Sequence, residues 1–356
     1  MNAPTLGGSY FVRSAQTVLL RIFVMVTMVD VARLAGVSKA TVSRALSQPD
    51  IVDKNTRDAV RTAVAKLRYR PNAMARSLAS RSSQTVGVVI NRFDSIYFGS
   101  LLAGAENAIT DEGFKMLAES ARECVEGERD AWASLLERQC DAVIVHSDNM
   151  DEDELVQWMA EHPTSLLMNR LLPGFEDRCI HLDNCRGGAL AANYLYDKGH
   201  RQVAMVTGPN KFYEVRDRSA GFEKALAQYD LKMVTVESDF RVQGGYEAMV
   251  TLLHHKTPIT AVFFQNDEMA AGALEACRER GVDVPQNVSM IGFDDIPSSR
   301  HLMPKLTTIR QPLRKIGAAA GQLAYALAVG ENDTSHIPHV FEAEVVERAS
   351  VLPLTF

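Results

Sequence analysis

The feature that most restricts the fold of this chain is a regular alternation that begins at Thr85. Short apolar runs such as TVGVVI and DAVIVHS alternate with segments whose apolar residues recur at helical spacing. Near-continuous apolar strands separated by helices are typical of a parallel sheet covered by helices on both faces. The alternation starts again after Gly188 and continues to Pro312. We therefore expect an α/β body made of two similar lobes.

Polar residues stand where several of these strands end, which is where open parallel sheets bind ligands. The strand ends hold Asn169 and Arg170, Asp183 and Asn184, Gln265 with Asn266 and Asp267, and Asp294 with Asp295. Tyr97, Phe98 and Phe240 are expected at loop positions, where an aromatic face can stack on a ligand. Two lobes with such ends predict a small-molecule clamp that closes by hinge motion. For any single polar residue, a helix cap or a structural hydrogen bond is the alternative.

Ahead of this body, residues 27–46 (TMVDVARLAGVSKATVSRAL) predict two short helices joined by a tight turn. Thr27 and Asp30 have the spacing of a capping box at the start of the first helix. Gly36 suits the left-handed residue that ends a helix, and Ser38 can cap the next one. This is the layout of a helix-turn-helix unit.

The second helix separates an apolar face from a polar one. Val42, Ala45 and Leu46 are expected to pack on three residues of the first helix, namely Val31, Ala32 and Leu34. The outer face then holds Lys39, Ala40, Thr41, Ser43 and Arg44. Cations, hydroxyl groups and one small apolar side chain suit phosphates and the base edges of the major groove. On this stretch alone, two ordinary surface helices of a globular domain are the alternative.

A third helix, capped by Asp53, is expected to close the core of this headpiece. Its apolar stripe consists of Ala59, Val60, Ala63, Val64 and Leu67. Pro71 ends the headpiece, and NAMARSL after it predicts a helix too short to be stable alone. The expected organisation is an N-terminal extension (1–26, disordered or a mis-assigned start), a DNA-binding domain (27–71), a hinge helix and linker (72–84) and the two-lobed body (85–356).

The charge distribution supports a polyanion-binding head. Residues 28–83 hold three Lys and eight Arg against four Asp, a net charge of +7. Because the whole chain carries −6 and residues 1–27 add +2, residues 84–356 carry −15. A small basic head on a large acidic body is the pattern of a domain that binds nucleic acid attached to one that does not.

Several other classes of protein are disfavoured. Five cysteines without a Cys-x-x-Cys pair indicate neither a disulfide framework nor a zinc site, but reduced thiols in a cytoplasmic protein. We find no nucleophile elbow, zinc-protease helix or phosphate loop, and so expect no catalytic residues, metal or cofactor. Arg21 interrupts the apolar run near the N-terminus, which argues against a signal peptide, and no other stretch is long and apolar enough to span a membrane.

The motifs DVARLAGVSKATVSRALS, RYRPNAMARSLA, DRSAGF, QNDEMAAGA, IGFDD and PKLTTIRQP occur in this order along the chain. In order and spacing they resemble the LacI/GalR family of bacterial transcription regulators over about residues 27–350. Within that family, NRLLPGFEDRCI is most similar to the galactose-repressor branch. The N-terminal extension is not typical of the family.

The resemblance implies roles for individual residues. Lys39, Ala40 and Arg44 match recognition-helix positions, and Asn72, Ala75 and Leu78 belong to the hinge, where Leu78 matches the leucine that wedges into the minor groove. Positions that commonly line the effector cleft are matched by Tyr97, Phe98, Asn169, Asp183, Arg218, Phe240, Asn266 and Asp294. No leucine-heptad tail precedes Phe356, so a homodimer is expected. Lys39 occupies a variable position, so the operator sequence cannot be carried over.

These observations predict a repressor that leaves a palindromic DNA operator when a small sugar, galactose or a relative, closes the cleft. A member of the same family in which a metabolite tightens DNA binding is the first alternative. A secreted sugar-binding protein of a transport system would share the body but lack residues 27–83. A sugar-processing enzyme on the same framework is the third alternative.

Overall fold

The computed structural model describes residues 26–69 and 82–354, which belong to two separate compact units. The boundary between the units falls between Arg81 and Ser82. Each unit is described by itself below. Among the described helices, none combines the length and the apolar character needed to cross a bilayer.

The first unit contains three helices whose ends are set by local capping. They are α1 (Met28–Ala35), α2 (Lys39–Ser47) and α3 (Lys54–Leu67). The predicted capping box is present, since the side chains of Thr27 and Asp30 each bond to the other residue's backbone amide. Gly36 ends α1 with φ = 68°, and the side chains of Ser38 and Asp53 cap α2 and α3. The helix-turn-helix prediction is therefore confirmed at the level of secondary structure.

The core of this headpiece differs in part from the predicted one. Its buried residues are Val31, Ala32, Val42, Ala45, Val60, Ala63 and Tyr69. Leu34 and Leu46 are 44% and 38% exposed, and Ala59 is also exposed, so their predicted burial is wrong. The physical reason is that Val60, Ala63 and Tyr69 fill the centre, and Leu34 and Leu46 remain at its edge.

The second unit is an α/β body with two six-stranded sheets, and the predicted fold class is confirmed. Lobe 1 has the strand order β11-β5-β4-β3-β1-β2. Its strands are β1 (Thr85–Ile90), β2 (Lys115–Ser120), β3 (Ala142–Val145), β4 (Ser165–Met168), β5 (Cys179–Leu182) and β11 (Val340–Phe341). All neighbouring pairs in this sheet are parallel. Three of its helices are α4 (Ile96–Asp111), α5 (Val125–Glu137) and α6 (Glu152–Glu161).

Lobe 2 repeats this arrangement with the order β12-β10-β9-β8-β6-β7. Its strands are β6 (Val203–Thr207), β7 (Met233–Glu237), β8 (Ala261–Phe264), β9 (Ser289–Asp294), β10 (Thr307–Arg310) and β12 (Glu344–Val346). The edge strand β12 is antiparallel to β10, and the other pairs are parallel. Its helices are α7 (Asn184–Asp197), α8 (Tyr213–Ala227), α9 (Val242–Leu253) and α10 (Asp267–Glu279).

The chain passes between the lobes three times. After β5 it enters lobe 2 at α7, and after β10 it returns to lobe 1 through α11 (Leu313–Val329), which packs on α4. It then adds β11 to the lobe 1 sheet and β12 to the lobe 2 sheet. The sequence pattern predicts the second lobe only as far as Pro312, and it predicts neither α11 nor these two strands. Three connections between the two sheets are compatible with the hinge motion predicted for a clamp.

Helices α7 and α8 pack directly on each other at two glycine residues, one on each helix. Each glycine contacts the backbone of the other helix. A Cβ atom at Gly188 would lie 2.0 Å from the carbonyl oxygen of Arg218, and one at Gly221 would lie 1.8 Å from that of Cys185. These positions therefore accept no side chain unless the helices separate.

We expect Gly188→Ala to lower the free energy of unfolding by about 1–3 kcal/mol, the usual cost of overpacking. The thermal midpoint of the purified protein measures this change. Gly99→Ala is the control, because a Cβ there meets nothing within 4 Å and alanine favours the helix by up to about 1 kcal/mol. Equal midpoints for wild type and Gly188→Ala would contradict the close packing.

Candidate functional site

The outer face of α2 is the first candidate site. Lys39, Ala40, Ser43 and Arg44 are exposed, and Thr41 is half-buried. The hydroxyl groups of Thr41 and Ser38 lie 2.8 Å apart. The Nε atom of Arg44 donates to the carbonyl oxygen of Ala40 at 3.4 Å. The structure thus brings the five predicted residues together on one helix, held by a capped first turn.

The second part of the predicted DNA interface cannot be placed. Asn72, Ala75 and Leu78, and the short helix predicted over 72–78, lie outside the described residues. Their roles therefore stay predictions.

The second candidate site is a cleft of about 550 Å³ between the two lobes. Lobe 1 contributes Asn91, Arg92, Ser95, Tyr97, Phe98, Glu123, His146 and Asp148, and lobe 2 contributes Phe212, Glu214, Arg218, Asp239, Phe240, Asn266 and Asp294. In both sheets the strand order reverses beside the cleft, between β1 and β3 in lobe 1 and between β6 and β8 in lobe 2. Ligands of open parallel sheets bind at such reversals.

Six of the eight residues expected in the cleft line it: Tyr97, Phe98, Arg218, Phe240, Asn266 and Asp294. Asn169 lies behind the lining, with its amide nitrogen 3.5 Å from Nε2 of His146. Asp183 instead caps α7 by accepting a hydrogen bond from the amide of Arg186. The expectation that Tyr97 and Phe98 lie in a loop is wrong, because α4 begins at Ile96.

The other nine lining residues were not predicted from the sequence, although the sequence places two of them at strand ends. Asn91 follows β1 and His146 follows β3, so each stands at a strand end. Because β1 and β3 are neighbours, the same argument that selected Asn266 applies to this pair. Glu214 carried no such signal, because it follows no strand and lies in the first turn of α8.

Arg218 is held rigidly in the cleft and is 3% exposed. Its Nε atom donates to Oδ1 of Asn184 at 2.8 Å, and Nη1 donates to the carbonyl oxygen of Gln265 at 2.8 Å. Its guanidinium carbon lies 4.0 Å from the ring centroid of Phe293. A fixed guanidinium in a buried site can donate to ligand hydroxyl groups with little loss of conformational freedom.

Acidic groups and a histidine surround this cation. Asn91 donates a hydrogen bond to Asp148, whose Oδ2 atom lies 3.4 Å from Nδ1 of His146. Burial by itself would lower the pKa of His146, but Asp148 and Glu214 raise it above its ordinary value. Burial also raises the pKa of Glu214 to about 7, with a further contribution from the charge of Asp148.

Asp294 links the cleft to a connection between the lobes. Gln311, just after β10, donates a 2.6 Å hydrogen bond to Oδ1 of Asp294. Burial raises the pKa of Asp294 well above its ordinary value, although Arg218 and this hydrogen bond oppose the rise. Arg218 similarly binds Asn184, at the first connection between the lobes. A ligand that contacts Arg218 or Asp294 therefore contacts residues that are hydrogen-bonded to the connections between the lobes.

Aromatic rings line both walls. Phe98 and His146 meet edge to face with centroids 4.9 Å apart in lobe 1, and Phe212 and Phe240 are nearly parallel in lobe 2. Phe240 has φ = 64°, and Asp294 has φ = 110°. Positive φ at residues other than glycine is strained and concentrates at ligand sites. The lining combines apolar faces with fixed donors and acceptors, as sites for small polar molecules do.

Ion pairs join the lobes at the mouth of the cleft. Glu268 of lobe 2 accepts hydrogen bonds from Arg92 at 3.1 Å and Ser95 at 2.8 Å, and Arg241 of lobe 2 donates to Glu123 at 2.6 Å. The side chains of Arg92 and Glu268 are only 14% and 15% exposed. These contacts exist only when the lobes are close together, so they favour the closed cleft.

We expect Glu268→Gln to weaken ligand binding by roughly fivefold, because losing about 1 kcal/mol of closure lowers the population of the binding-competent state. Calorimetric titration at low and high salt measures this, and the wild type should be the more salt-sensitive protein. Glu154→Gln is the control, since it removes an ion pair with Arg129 inside lobe 1. Equal affinities for wild type and Glu268→Gln would exclude a closing role.

Two profiles of known protein families match this chain. The profile described as "Bacterial regulatory proteins, lacI family" matches residues 27–72, and "Periplasmic binding protein-like domain" matches residues 192–351. The HTH-type transcriptional regulator GalS of Salmonella typhimurium is 39% identical over 92% of this chain and 97% of its own length. GalR of Escherichia coli is 38% identical over 92% of this chain and 96% of its own length.

Solved structures are similar to this chain as well. The lac repressor dimer bound to operator and the anti-inducer ONPF superposes with a TM-score of 0.82 at 27% identity, covering 92% of this chain and 99% of that one. A LacI family transcriptional regulator from Enterococcus faecium with bound ribose has a TM-score of 0.68 at 26% identity, covering 76% of this chain and all of that one.

Proposed function

This chain belongs to the LacI family of bacterial transcription regulators, and we propose that it is a repressor that leaves a palindromic operator when a small sugar closes its cleft. It acts as a homodimer in the cytoplasm, each headpiece reading half of the palindrome. The observation that carries this proposal is the pairing, in one chain, of an exposed helix-turn-helix face with a polar cleft between hinged lobes. Galactose or a related sugar is the ligand, supported by the similarity to GalS and GalR.

We assign the DNA contacts to two segments. Lys39, Ala40, Thr41, Ser43 and Arg44 of α2 contact base edges and phosphates in the major groove. Asn72, Ala75 and Leu78 contact the DNA from the hinge, with Leu78 as a minor-groove wedge. The proposed domain limits are 27–71 for the headpiece, 72–84 for the hinge and linker, and 85–356 for the body, after an extension over 1–26.

The effector contacts are assigned to the cleft. Tyr97, Phe98, Arg218, Phe240, Asn266 and Asp294 contact the sugar, since all six line the same space. Asn169 and Asp183 act indirectly, Asn169 through His146 and Asp183 through the start of α7. Coupling between the cleft and the headpiece requires about 1–3 kcal/mol of free energy.

The test begins with the DNA. Sequencing the fragments bound by the purified protein should return a palindrome, and its binding constant should fall steeply with salt because Lys and Arg displace counterions. Gel shifts on that palindrome with a panel of hexoses and pentoses then identify a sugar that releases it. Failure to bind any DNA selectively would contradict the proposal. A ligand that tightens operator binding would show instead that the effector is a corepressor.

A further inference from the structure

Glu214 differs from the other deeply buried carboxyl groups of the cleft because one of its two carboxyl oxygens lacks a hydrogen-bond donor among the described residues. The residue is 6% exposed and lies in the first turn of α8. Its Oε2 atom is shielded from solvent and has no hydrogen-bond partner within the described parts of the chain. By contrast, Asp148 accepts from Asn91 and Asp294 accepts from Gln311. A buried acceptor without a donor is costly, so the Oε2 atom would gain stability from a donor supplied by a bound molecule.

The position of Glu214 suits contact with a ligand. It lines the cleft together with Arg218, which is one helical turn further along the same face of α8. Asp148 and His146 of lobe 1 line the same cleft as Glu214, and their charges alter the pKa of its carboxyl group. A ligand between the lobes therefore meets Glu214 and Arg218 together, an acceptor beside a donor.

We propose that Glu214 is a specificity-determining residue that accepts a hydrogen bond from a hydroxyl group of a neutral, polyhydroxylated ligand, and that the surrounding carboxyl groups exclude sugar acids and sugar phosphates. This inference rests on the proposed function and names the chemical class of its effector. A hydroxyl group fits because it can donate to Glu214 and accept from Arg218 at the same time.

Electrostatics explains why the ligand is neutral. Five carboxyl groups line the described cleft, at Glu123, Asp148, Glu214, Asp239 and Asp294, against the guanidinium groups of Arg92 and Arg218 and the imidazole of His146. Burial raises the pKa values of Glu214 and Asp294, because the charged form of a carboxyl group is less favourable away from water. An added carboxylate or phosphate would repel these groups, and a cationic ligand would face Arg218 at close range.

Titration calorimetry on the full chain tests the inference with D-galactose, D-galacturonate and D-galactose 6-phosphate. The wild type should bind galactose at least about tenfold more tightly than either anion. Glu214→Gln, which keeps the shape but loses the charge, should bind galactose roughly tenfold more weakly. Glu223→Gln is the matched control, because it removes an exposed carboxylate from the same helix and should bind like the wild type. Thermal midpoints verify that both variants fold.

Each outcome decides the question. Unchanged galactose affinity in Glu214→Gln, or tighter binding of an anion or of D-galactosamine than of galactose, overturns the inference. If galactose gives no heat, the same comparison is made with ribose and ribose 5-phosphate and with glucose and glucuronate. Binding of an anionic member, or of no neutral member, then overturns it.

Failure of the inference can be told apart from failure of the proposed function. A sugar that releases the operator but binds Glu214→Gln as it binds the wild type overturns only the role of Glu214. Conversely, the expected calorimetric pattern without any effect of sugar on operator binding overturns the proposed regulation and supports the ligand assignment.

Discussion

Arg44→Ala is expected to weaken operator binding by about 2–6 kcal/mol, because each half-site of a dimer loses about 1–3 kcal/mol of base recognition. Arg44 is exposed on the outer face of α2, and its Nε atom is held by the carbonyl oxygen of Ala40. An arginine fixed in this way can bond to a guanine edge in the major groove. Gel shifts on the selected operator and on an unrelated duplex at the same salt measure the specific and non-specific losses.

Lys66→Ala is the control for this experiment. Lys66 lies in the last turn of α3, is exposed and carries the same charge, but stands outside the two helices of the reading unit. Its loss should reduce both DNA affinities by a similar small factor, as expected for a cation that contacts only phosphates. Equal losses of specific and non-specific binding in Arg44→Ala would exclude a role for Arg44 in base recognition.

Arg218→Ala is expected to weaken sugar binding by roughly 30- to 140-fold, the loss of about 2–3 kcal/mol for hydrogen bonds from a buried charged donor. The operator complex should then persist at sugar concentrations that release the wild type. The substitution also leaves Oδ1 of Asn184 and the carbonyl oxygen of Gln265 without the donor they have now. Calorimetry measures the affinity, and gel shifts with increasing sugar measure the response.

Two further variants separate binding from folding. Arg218→Lys keeps the charge but replaces the planar fork by a single ammonium group, so it should bind more weakly than the wild type and more tightly than Arg218→Ala. Lys224→Ala removes an exposed cation from the same helix and should change neither measurement. Wild-type affinity in a folded Arg218→Ala protein would exclude Arg218 from ligand recognition.

The local features of the headpiece were predictable because they depend on neighbours in the sequence. The capping box of Thr27 and Asp30, the left-handed Gly36 and the caps at Ser38 and Asp53 all act within four residues. Burial was predicted less well. Helical spacing placed Leu34 and Leu46 in the core, but burial depends on where the third helix packs, which periodicity does not encode.

The sequence by itself determined the alternation of strands and helices, the helix-turn-helix unit, the separation of charge between head and body, and the polar strand ends at Asn266 and Asp294. These follow from spacing and local chemistry. Only the tertiary structure decided that α11 returns to lobe 1, that Asn91 and His146 meet at neighbouring strands, and that Glu214 joins Arg218 in the cleft. The physical reason is that a cleft between two sheets is built by strand order and by connections between lobes, and these join residues far apart in the chain.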